Sequence, residues 1–335
     1  MARLVVTGGM GFIGSAFVRR RLAAQGDDVV VVDKLTYAGN PNNLKDHKDD
    51  PRLTFVKGDV CDRKLMEDAV RGADAVVHFA AETHVDRSIL DAGSFVVTDV
   101  VGTYSVLEAC RKADVPRLLH ISTDEVYGEA GDTPCTESAP LMPKSPYAAS
   151  KAGADRLAWS YHATYGLPVV ISRCTNNYGP YQHPEKLIPL FATNAIEGQP
   201  LPVYGAGGNT RDWIHVDDHC AALDVLLAAG GVEGEVFNVG ADQERDVRTV
   251  GETILRILGK PASILRSVED RPGHVSRHAV DWSKIRTRLG WRPARTFEEG
   301  LRETVDWYRR NEWWWKPVKS GEFRDYYQVQ YRGRV

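Results

Sequence analysis

A glycine-rich turn between a short apolar strand and a helix constrains the fold of this chain more than any other feature. Residues 4–7 (LVVT) predict a strand, residues 8–14 (GGMGFIG) follow it, and a helical run comes next. In such a turn Gly8 permits a tight bend, Gly11 lets a pyrophosphate approach the backbone, and Gly14 lets the helix pack on the strand. The helix N-terminus also offers N–H groups and a favourable dipole to phosphates. The turn indicates a dinucleotide site, although taken alone it is weak evidence.

An acidic residue ends the second predicted strand. Asp33 follows residues 29–32 (VVVV), at about the 20-residue separation from the glycines that dinucleotide sites use. A carboxylate there binds the adenine ribose diol and repels a 2′-phosphate, so the pattern predicts NAD rather than NADP. Asp33 would otherwise cap the following turn, but strand, glycine turn, helix, strand and acid in this order favour the dinucleotide site.

Strands and helices alternate through the first half of the chain. Further apolar strands are predicted at residues 53–57, 75–79, 118–121 and 169–171. This alternation is typical of an α/β fold, here a Rossmann-type doubly wound parallel sheet.

Small or acidic residues follow two of these strands. Ala80 and Ala81 would let a cofactor lie close to the strand end, and Asp59 would accept a hydrogen bond from an adenine amine. Without the glycine turn upstream, ordinary tight packing would explain these residues equally well.

The composition shifts toward Pro, Tyr, Asn and Arg after the sixth strand. We predict an NAD-binding Rossmann domain over residues 1–175, with returning segments near 212–240, and a smaller, interleaved substrate-binding lobe mainly over residues 176–335. Cations in the loops of this lobe would suit a second diphosphate, although lone surface cations are usually only solvated. These cations are Lys186, Arg211, Arg271 and His274.

The stretch from His120 to Lys151 has the layout of a catalytic site. The strand at 118–121 gives way to Ser-Thr-Asp-Glu, and a helix then carries Tyr147 and Lys151 on one face. A lysine so placed would stabilise a phenolate, since moving a tyrosine pKa from about 10 to about 7 takes roughly 4 kcal/mol. A Tyr/Lys pair four apart is also a common surface pair, so the catalytic interpretation depends on the dinucleotide site upstream.

The composition excludes several classes of function. Lys+Arg 42 against Asp+Glu 45 gives a net charge of -3, so no basic field predicts nucleic-acid binding. The five cysteines are scattered without close pairs, which predicts reduced thiols and neither a disulfide framework nor a metal site. No apolar run approaches the roughly 18 residues of a membrane helix, and no signal-peptide core is seen. We therefore expect a cytoplasmic protein without a membrane partner.

Two long amphipathic helices, predicted at residues 95–113 and 147–165, would flank the sheet. Their apolar stripes would form a dimer surface or be used within the monomer, and the pattern alone leaves both possibilities open.

Ordered motifs along nearly the whole chain carry a resemblance to a known family. They are TGGMGFIG, DKLTYAGN from Asp33, AAETHVDRSI from Ala80, STDEVYG from Ser122, SPYAASKA from Ser145, NNYGPYQ from Asn176, EKLIP from Glu185, RDWIHVDD from Arg211 and DRPGH from Asp270. With them the chain resembles the extended short-chain dehydrogenase/reductases, and within these the dTDP-glucose 4,6-dehydratases.

The resemblance implies NAD as cofactor, dTDP-glucose as substrate and a homodimer. Tyr147 and Lys151 would form the base, Asp124 and Glu125 the acid and base of elimination, and Thr123 would hydrogen-bond the sugar. The implied cofactor residues are Gly8, Gly11, Phe12, Ile13, Gly14, Asp33, Lys34, Leu35, Thr36, Asp59, Val60, Ala80, Ala81, Thr98, Tyr147, Lys151 and Asn177. The implied substrate residues are Thr83, His84, Thr123, Asn176, Lys186, Leu187, Pro202, Tyr204, Arg211, Asp246, Arg271 and His274.

Five positions differ from the family pattern. Thr83 replaces a serine, Asp99 and Asp246 replace asparagines, and Val275 and His278 replace an aspartate and a tyrosine.

The expected reaction is oxidation at C4, loss of water across C5 and C6, and hydride return to C6. A nucleotide-sugar epimerase would need Tyr147 and Lys151 but not the Asp124-Glu125 pair, whereas a UDP-glucose 4,6-dehydratase would share that pair. A non-catalytic dinucleotide sensor would need none of these residues.

Overall fold

The structure, a computed structural model, describes residues 2–24, 26–321, 323, 326, 327 and 330. The strands are β1 (Ala2–Thr7), β2 (Asp27–Asp33), β3 (Leu53–Lys57), β4 (Ala75–His78), β5 (Leu118–Thr123), β6 (Val169–Cys174), β7 (Asn176–Tyr178), β8 (Leu201–Tyr204), β9 (Thr210–His215), β10 (Val236–Val239), β11 (Glu244–Asp246), β12 (Leu265–Val268) and β13 (Arg277–His278). The helices are α1 (Phe12–Ala23), α2 (Arg63–Ala69), α3 (Val85–Leu90), α4 (Ala92–Phe95), α5 (Gly102–Lys112), α6 (Pro146–Tyr165), α7 (Leu187–Glu197), α8 (Val216–Ala228), α9 (Val247–Leu258), α10 (Ser283–Leu289), α11 (Phe297–Arg310) and α12 (Glu312–Val318).

A seven-stranded sheet in the order β10-β6-β5-β4-β1-β2-β3 forms the centre of the molecule. Every neighbouring pair is parallel. The chain winds from β1 outward to β3 and then returns to β4 on the other side of β1, so the predicted doubly wound sheet is confirmed. In such sheets ligands bind beyond the carboxyl ends of the strands, where the order reverses.

Helices cover both faces of this sheet because successive strand residues point to opposite sides. Val5 packs in the same buried cluster as Val106 of α5, whereas its neighbour Val6 packs with Phe17 of α1 and Leu223 of α8. Strands buried on both faces are continuous runs of apolar residues, as the valines of β2 show.

The remaining strands form a smaller lobe. Strand β9 pairs with β7, β11 and β13, while β8 pairs with β12. Phe191 of α7, Ile254 of α9 and Leu301 of α11 fill the lobe's own buried core. Strand β10 leaves the lobe and adds to the main sheet beside β6, so the two parts are interleaved in sequence. The boundary at residue 175 stays a prediction.

Two central strands are longer than their apolar runs predict. β5 continues through Ser122 and Thr123, and β6 continues to Cys174, because their backbones stay paired in register. Polar side chains are tolerated there when partnered: Arg173, 1% exposed, forms an ion pair with Asp155 at 2.8 Å.

The predicted helix at residues 95–113 is not regular. A π-helical segment, Val96–Val101, lies between α4 and α5. Such widened turns are frequent at functional sites, and this one directs the side chain of Asp99 into the interior, where it is 1% exposed.

Across the described ranges, no helix is both long and apolar enough to span a bilayer. All five cysteines are free, as the sequence predicts.

Candidate active site

The turn between β1 and α1 is so tight that only glycine fits at two of its positions. Gly8 has a φ of +70°, and a Cβ there would lie 2.7 Å from the amide nitrogen of Ala80. A Cβ on Gly14 would lie 2.3 Å from the carbonyl oxygen of Gly8. Helix α1 begins at Phe12 after Gly11, has no side-chain cap, and lines a cleft with its first turn. The bare helix N-terminus and the close backbone suit a pyrophosphate.

The carboxylate of Asp33 is fixed at the end of β2 by the backbone. Its Oδ2 accepts a hydrogen bond from the amide of Met10 (2.9 Å), and its Oδ1 accepts one from the amide of Leu35 (2.8 Å). Burial raises the pKa of Asp33. Each oxygen keeps a second lone pair for a ribose hydroxyl, so the geometry fits the predicted role in a dinucleotide site.

One continuous cleft, along the carboxyl ends of the main-sheet strands, brings most of the predicted residues together. Predicted cofactor, catalytic and substrate residues all contribute to its walls. The predicted residues that line it are Gly8, Gly11, Phe12, Ile13, Gly14, Asp33, Lys34, Thr36, Asp59, Val60, Ala80, Ala81, Thr83, Thr98, Thr123, Asp124, Glu125, Tyr147, Lys151, Asn176, Asn177 and Lys186.

Two adjacent acids with different surroundings follow β5. Asp124 is 3% exposed, and its Oδ1 accepts a hydrogen bond from the hydroxyl of Thr123 at 3.3 Å. Its Oδ2 has no partner in the described part of the chain. Burial, followed by the charge of Glu125, raises the pKa of Asp124 well above its usual value. The raised pKa favours the protonated form of Asp124, which suits it to donate a proton in the cleft.

Tyr147 and Lys151 lie one turn apart on α6 and both line the cleft. The ammonium of Lys151 donates to the carbonyl oxygen of Ile121 at 2.7 Å, which anchors it to β5. Removal from solvent, followed by the charges of Glu125 and Asp99, raises the pKa of Tyr147 well above its usual value. Burial and the neighbouring acids therefore dominate the pKa of Tyr147 here, and the prediction that Lys151 stabilises the phenolate stays a prediction.

Asp99 lies behind the cleft and is engaged on both oxygens. Oδ1 accepts a hydrogen bond from the amide of Glu82 (2.8 Å), and Oδ2 accepts one from the hydroxyl of Ser150 (2.6 Å). Burial raises the pKa of Asp99 to about 6, and the ammonium of Lys151 opposes this shift. A group that titrates near neutral pH therefore lies close to the Tyr147 and Lys151 pair, a role that the sequence does not predict.

A smaller cavity shares Glu125 with the cleft and has cations in its walls. Lys144, Arg211 and Arg271 contribute these charges. Arg271 forms an ion pair with the buried carboxylate of Asp86, whereas the hydrogen bonds of Arg211 within the described residues go to two main-chain carbonyl oxygens, at 2.8 and 3.0 Å. The structure thus brings Arg211 and Arg271 together, as expected of a diphosphate site.

Seven predicted residues line neither cavity in the ranges that the structure describes. Two of them, Asp246 and Tyr204, make structural hydrogen bonds instead. Asp246 caps α9 by accepting a hydrogen bond from the amide of Thr249 at 2.9 Å. Tyr204 donates at 2.9 Å to Asp86, the partner of Arg271, and so supports the cation indirectly. The seven are Leu35, His84, Leu187, Pro202, Tyr204, Asp246 and His274.

Several residues in the cavity walls are not among the predicted site residues. Glu82 comes directly after Ala80 and Ala81, so the same strand-end argument would have found it. Lys144 and Ser145 precede the helix of Tyr147 and would have followed from that helix. His278 lies in β13, a strand of two residues that gives no periodic signal.

No group of three or more His, Cys, Asp or Glu side chains within the described residues is arranged to hold a metal ion.

Known proteins share both the sequence and this geometry. A family profile described as GDP-mannose 4,6 dehydratase matches residues 5–304. A dTDP-glucose 4,6-dehydratase from Streptomyces niveus is 52% identical over 95% of this chain and 96% of its own length. The solved dTDP-glucose 4,6-dehydratase of Streptomyces venezuelae, which holds NAD, is 53% identical, with a TM-score of 0.93 over 95% of this chain and 100% of the other. The UDP-glucose 4-epimerase of Thermotoga maritima is 29% identical, with a TM-score of 0.85 over 92% and 99% of the two chains. From its sequence and its fold together, the chain belongs to the dTDP-glucose 4,6-dehydratases within the wider GDP-mannose 4,6-dehydratase family.

Proposed function

We propose that this chain converts dTDP-glucose to dTDP-4-keto-6-deoxyglucose in an NAD-dependent dehydration. The observation that carries the proposal is the buried Asp124, whose pKa is raised, beside Glu125 in the same cleft as Tyr147 and the dinucleotide turn. Elimination of water needs a proton donor and a proton acceptor in addition to the redox residues. Relatives that are about half identical in sequence are named dTDP-glucose 4,6-dehydratases.

The residues present fit NAD. Gly8 and Gly14 leave backbone where a pyrophosphate must approach, and Asp33 presents a carboxylate at the place of the adenine ribose. The carboxylate favours NAD over NADP, because a 2′-phosphate would meet a negative charge. When bound, NAD supplies the hydride acceptor for C4 and the hydride donor for C6, so the reaction has no net redox change.

Tyr147 takes the proton of the C4 hydroxyl in the first step. Its pKa is raised in the chain alone, so the phenolate depends on positive charge nearby. Lys151, held by the carbonyl oxygen of Ile121, supplies one such charge on the same side of the cleft. We infer that the cationic nicotinamide ring of oxidised NAD, when bound near Tyr147, would add the remaining positive charge, so that ionisation of Tyr147 would depend on cofactor binding.

The C5 proton becomes acidic only once C4 is a ketone. Glu125 then removes this proton, and Asp124 gives its own proton to the departing C6 hydroxyl, so that water leaves. The burial of Asp124 raises its pKa, which favours the form that can donate this proton. Thr123 donates to Asp124 at 3.3 Å and so holds this carboxyl in place.

The nearest alternative is an epimerase or a UDP-glucose 4,6-dehydratase. The fold does not discriminate, because an epimerase shares it with a TM-score of 0.85. The Asp124-Glu125 pair distinguishes a dehydratase from an epimerase, because epimerisation at C4 returns the hydride to the same carbon and eliminates no water. Which nucleotide base the chain prefers is tested by direct comparison of substrates.

The test is to incubate the purified protein with dTDP-, UDP-, GDP- and CDP-glucose and to identify the products by NMR. We expect a 4-keto-6-deoxy sugar from dTDP-glucose at the highest kcat/KM, without added cofactor consumption. A C4-epimerised sugar, or a preference for another nucleotide, would refute the proposal.

We propose that a second copy of the chain packs on the helices beside the π-helical segment. Apolar side chains are exposed there: Leu90 by 61%, Val96 and Val97 by 52% each, and Trp159 of α6 by 43%. So much exposed apolar surface is typical of an interface. Light scattering after gel filtration should give twice the chain mass, and Val97→Glu should give a monomer. A wild-type monomer at micromolar concentration would contradict the proposal.

We also propose a cytoplasmic location, which the five free thiols support because disulfides are rare in reducing compartments. Cell fractionation followed by immunodetection tests it, and recovery outside the cytoplasm would overturn it.

A further inference from the structure

His278 is a buried histidine without a hydrogen-bond partner in the wall of the smaller cavity. Its side chain is 4% exposed and lines that cavity together with Arg211 and Arg271. Neither Nδ1 nor Nε2 finds a partner among the residues that the structure describes. Buried polar groups are nearly always hydrogen-bonded, so an imidazole left in this state requires an explanation from outside the chain.

The residue paired with His278 across the strands is an arginine that forms no ion pair with a carboxylate in the described part of the chain. In the parallel pairing of β13 with β9, His278 stands beside Arg211. Arg211 donates to main-chain carbonyl oxygens and forms no ion pair within the described residues. The other two cations of the cavity are already paired, Lys144 with Glu129 and Arg271 with Asp86. A guanidinium without an ion pair and two unsatisfied ring nitrogens therefore occur side by side in the described part of the chain.

The surroundings also determine the form of the ring. Burial, followed by the positive charges of Arg211, Arg271, His274 and Lys144, lowers the pKa of His278 well below its usual value. This favours the neutral ring, which has one N–H donor and one acceptor nitrogen. Glu125 is the acid in the cavity wall, and three cations face it. An acceptor that enters this space beside Arg211 is therefore most stable as an anion.

We propose that His278 is a substrate-binding residue, and that its ring N–H donates to a diphosphate oxygen of the nucleotide-sugar beside the guanidinium of Arg211. The choice of a nucleoside diphosphate as ligand rests on the proposed function. The anionic character of the ligand rests on the cavity alone. The adjacent sugar would then lie toward Glu125, which lines both this cavity and the main cleft.

The experiment measures the affinity of dTDP by calorimetry for the wild type, His278→Phe and His278→Gln. Phenylalanine keeps a ring and removes both nitrogens, so we expect a loss of about tenfold or more, as for one hydrogen bond to a charged group. Glutamine keeps an N–H donor and should stay within about threefold of the wild type. Thymidine, which has no phosphate, should bind all three proteins alike.

His120 provides a matched control. It is also buried, with both ring nitrogens unpaired in the described part of the chain, but it lines neither cavity. His120→Phe should therefore leave the dTDP affinity unchanged, which separates a local contact from the general effect of replacing a buried histidine. Melting curves establish that each variant is folded, and His278→Leu replaces the phenylalanine variant if that one is not.

The proposal is overturned if the variant without a donor binds dTDP as tightly as the wild type, if thymidine loses as much affinity as dTDP, or if His120→Phe has an equal effect. Binding and turnover are separate readouts. A wild type that binds dTDP but does not dehydrate dTDP-glucose would refute the proposed function and leave the contact of His278 to be judged by these affinities.

Discussion

The two sides of the cleft are built differently. The dinucleotide side comes from consecutive residues, since Gly8 to Gly14 shape one turn and Asp33 is fixed by the amides of Met10 and Leu35. The substrate side comes from side chains that meet from distant parts of the chain, such as Arg271 with Asp86, 185 residues apart in sequence. Backbone shapes the first side, and networks of paired charges shape the second.

The two sides of the cleft should respond differently to amino-acid substitutions. A turn made of backbone has no spare room, so one added methyl group disturbs it. A network of charges tolerates a change in one member but passes the effect to its partners, because a buried charge left alone is costly. The two sides should therefore be separable by mutation.

Tyr147→Phe tests the point at which the two sides meet and should have the largest effect. The ring remains and the base is lost, so turnover should fall by about 10²–10⁴ while dTDP binds nearly as before. Tyr165→Phe, at the exposed end of the same helix, is the control and should retain full activity. Wild-type turnover in the first variant would remove Tyr147 from the mechanism.

Gly14→Ala tests the backbone-built side. The new Cβ would lie 2.3 Å from the carbonyl oxygen of Gly8, so the turn must shift. The NAD content of the purified protein should fall at least about tenfold, since pyrophosphate binding needs the close backbone, while the dTDP affinity stays the same. Gly230→Ala, where nothing lies within 4 Å of the new Cβ, should change neither. An equal loss of both ligands would show that the sides are not separable.

Arg271→Met tests the side built from charges. The dTDP affinity should fall by about tenfold with the NAD content unchanged, and Arg271→Lys should fall less because the charge remains. The melting temperature should also drop, since Asp86 is left buried without its cation. The control is Arg266→Met, an exposed arginine of the same lobe. An unchanged dTDP affinity in Arg271→Met would place the diphosphate elsewhere.

Asp99→Asn should have the smallest effect, confined to the pH profile. Above its pKa of about 6, Asp99 is negative and raises the pKa of Tyr147. Asparagine removes this charge, so the limb of kcat that rises with ionisation of Tyr147 should move to lower pH by about one unit. The two enzymes should converge below pH 6, where the acid itself is protonated. Identical profiles at all pH values would show that Asp99 does not act on Tyr147.

The sequence predicts the backbone-built side better than the other for a physical reason. Spacing within one strand-turn-helix unit fixes Gly8, Gly14 and Asp33 in space, so local pattern is enough. The meeting of Arg211 and Arg271 depends on how a lobe folds back, so their charge made them candidates for a diphosphate while no local spacing showed that they meet.

Other features of the site depend on how residues pack around each side chain, and the spacing of residues in the sequence does not show this packing. Tyr147 and Lys151 are correctly placed on one helix face, but the effect of burial and of Asp99 on the pKa of Tyr147 follows only from packing. The same holds for His278, whose two-residue strand becomes informative once its neighbours are known.

The central claim is that Asp124 and Glu125 divide the elimination between them, and solvent exchange at C5 tests it most directly. Glu125→Gln and Asp124→Asn are each mixed with dTDP-glucose in deuterium oxide, and NMR follows deuterium at C5 while absorbance follows the reduced cofactor. In Glu125→Gln we expect oxidation at C4 to proceed, reduced cofactor to accumulate, and C5 exchange to slow by about 10²–10⁴. In Asp124→Asn we expect loss of water to slow while C5 exchange is less affected. If both variants lose C4 oxidation equally, or if C5 exchange in Glu125→Gln slows by less than about threefold, well below the loss expected for a general base, the two acids only position the sugar and the account is contradicted.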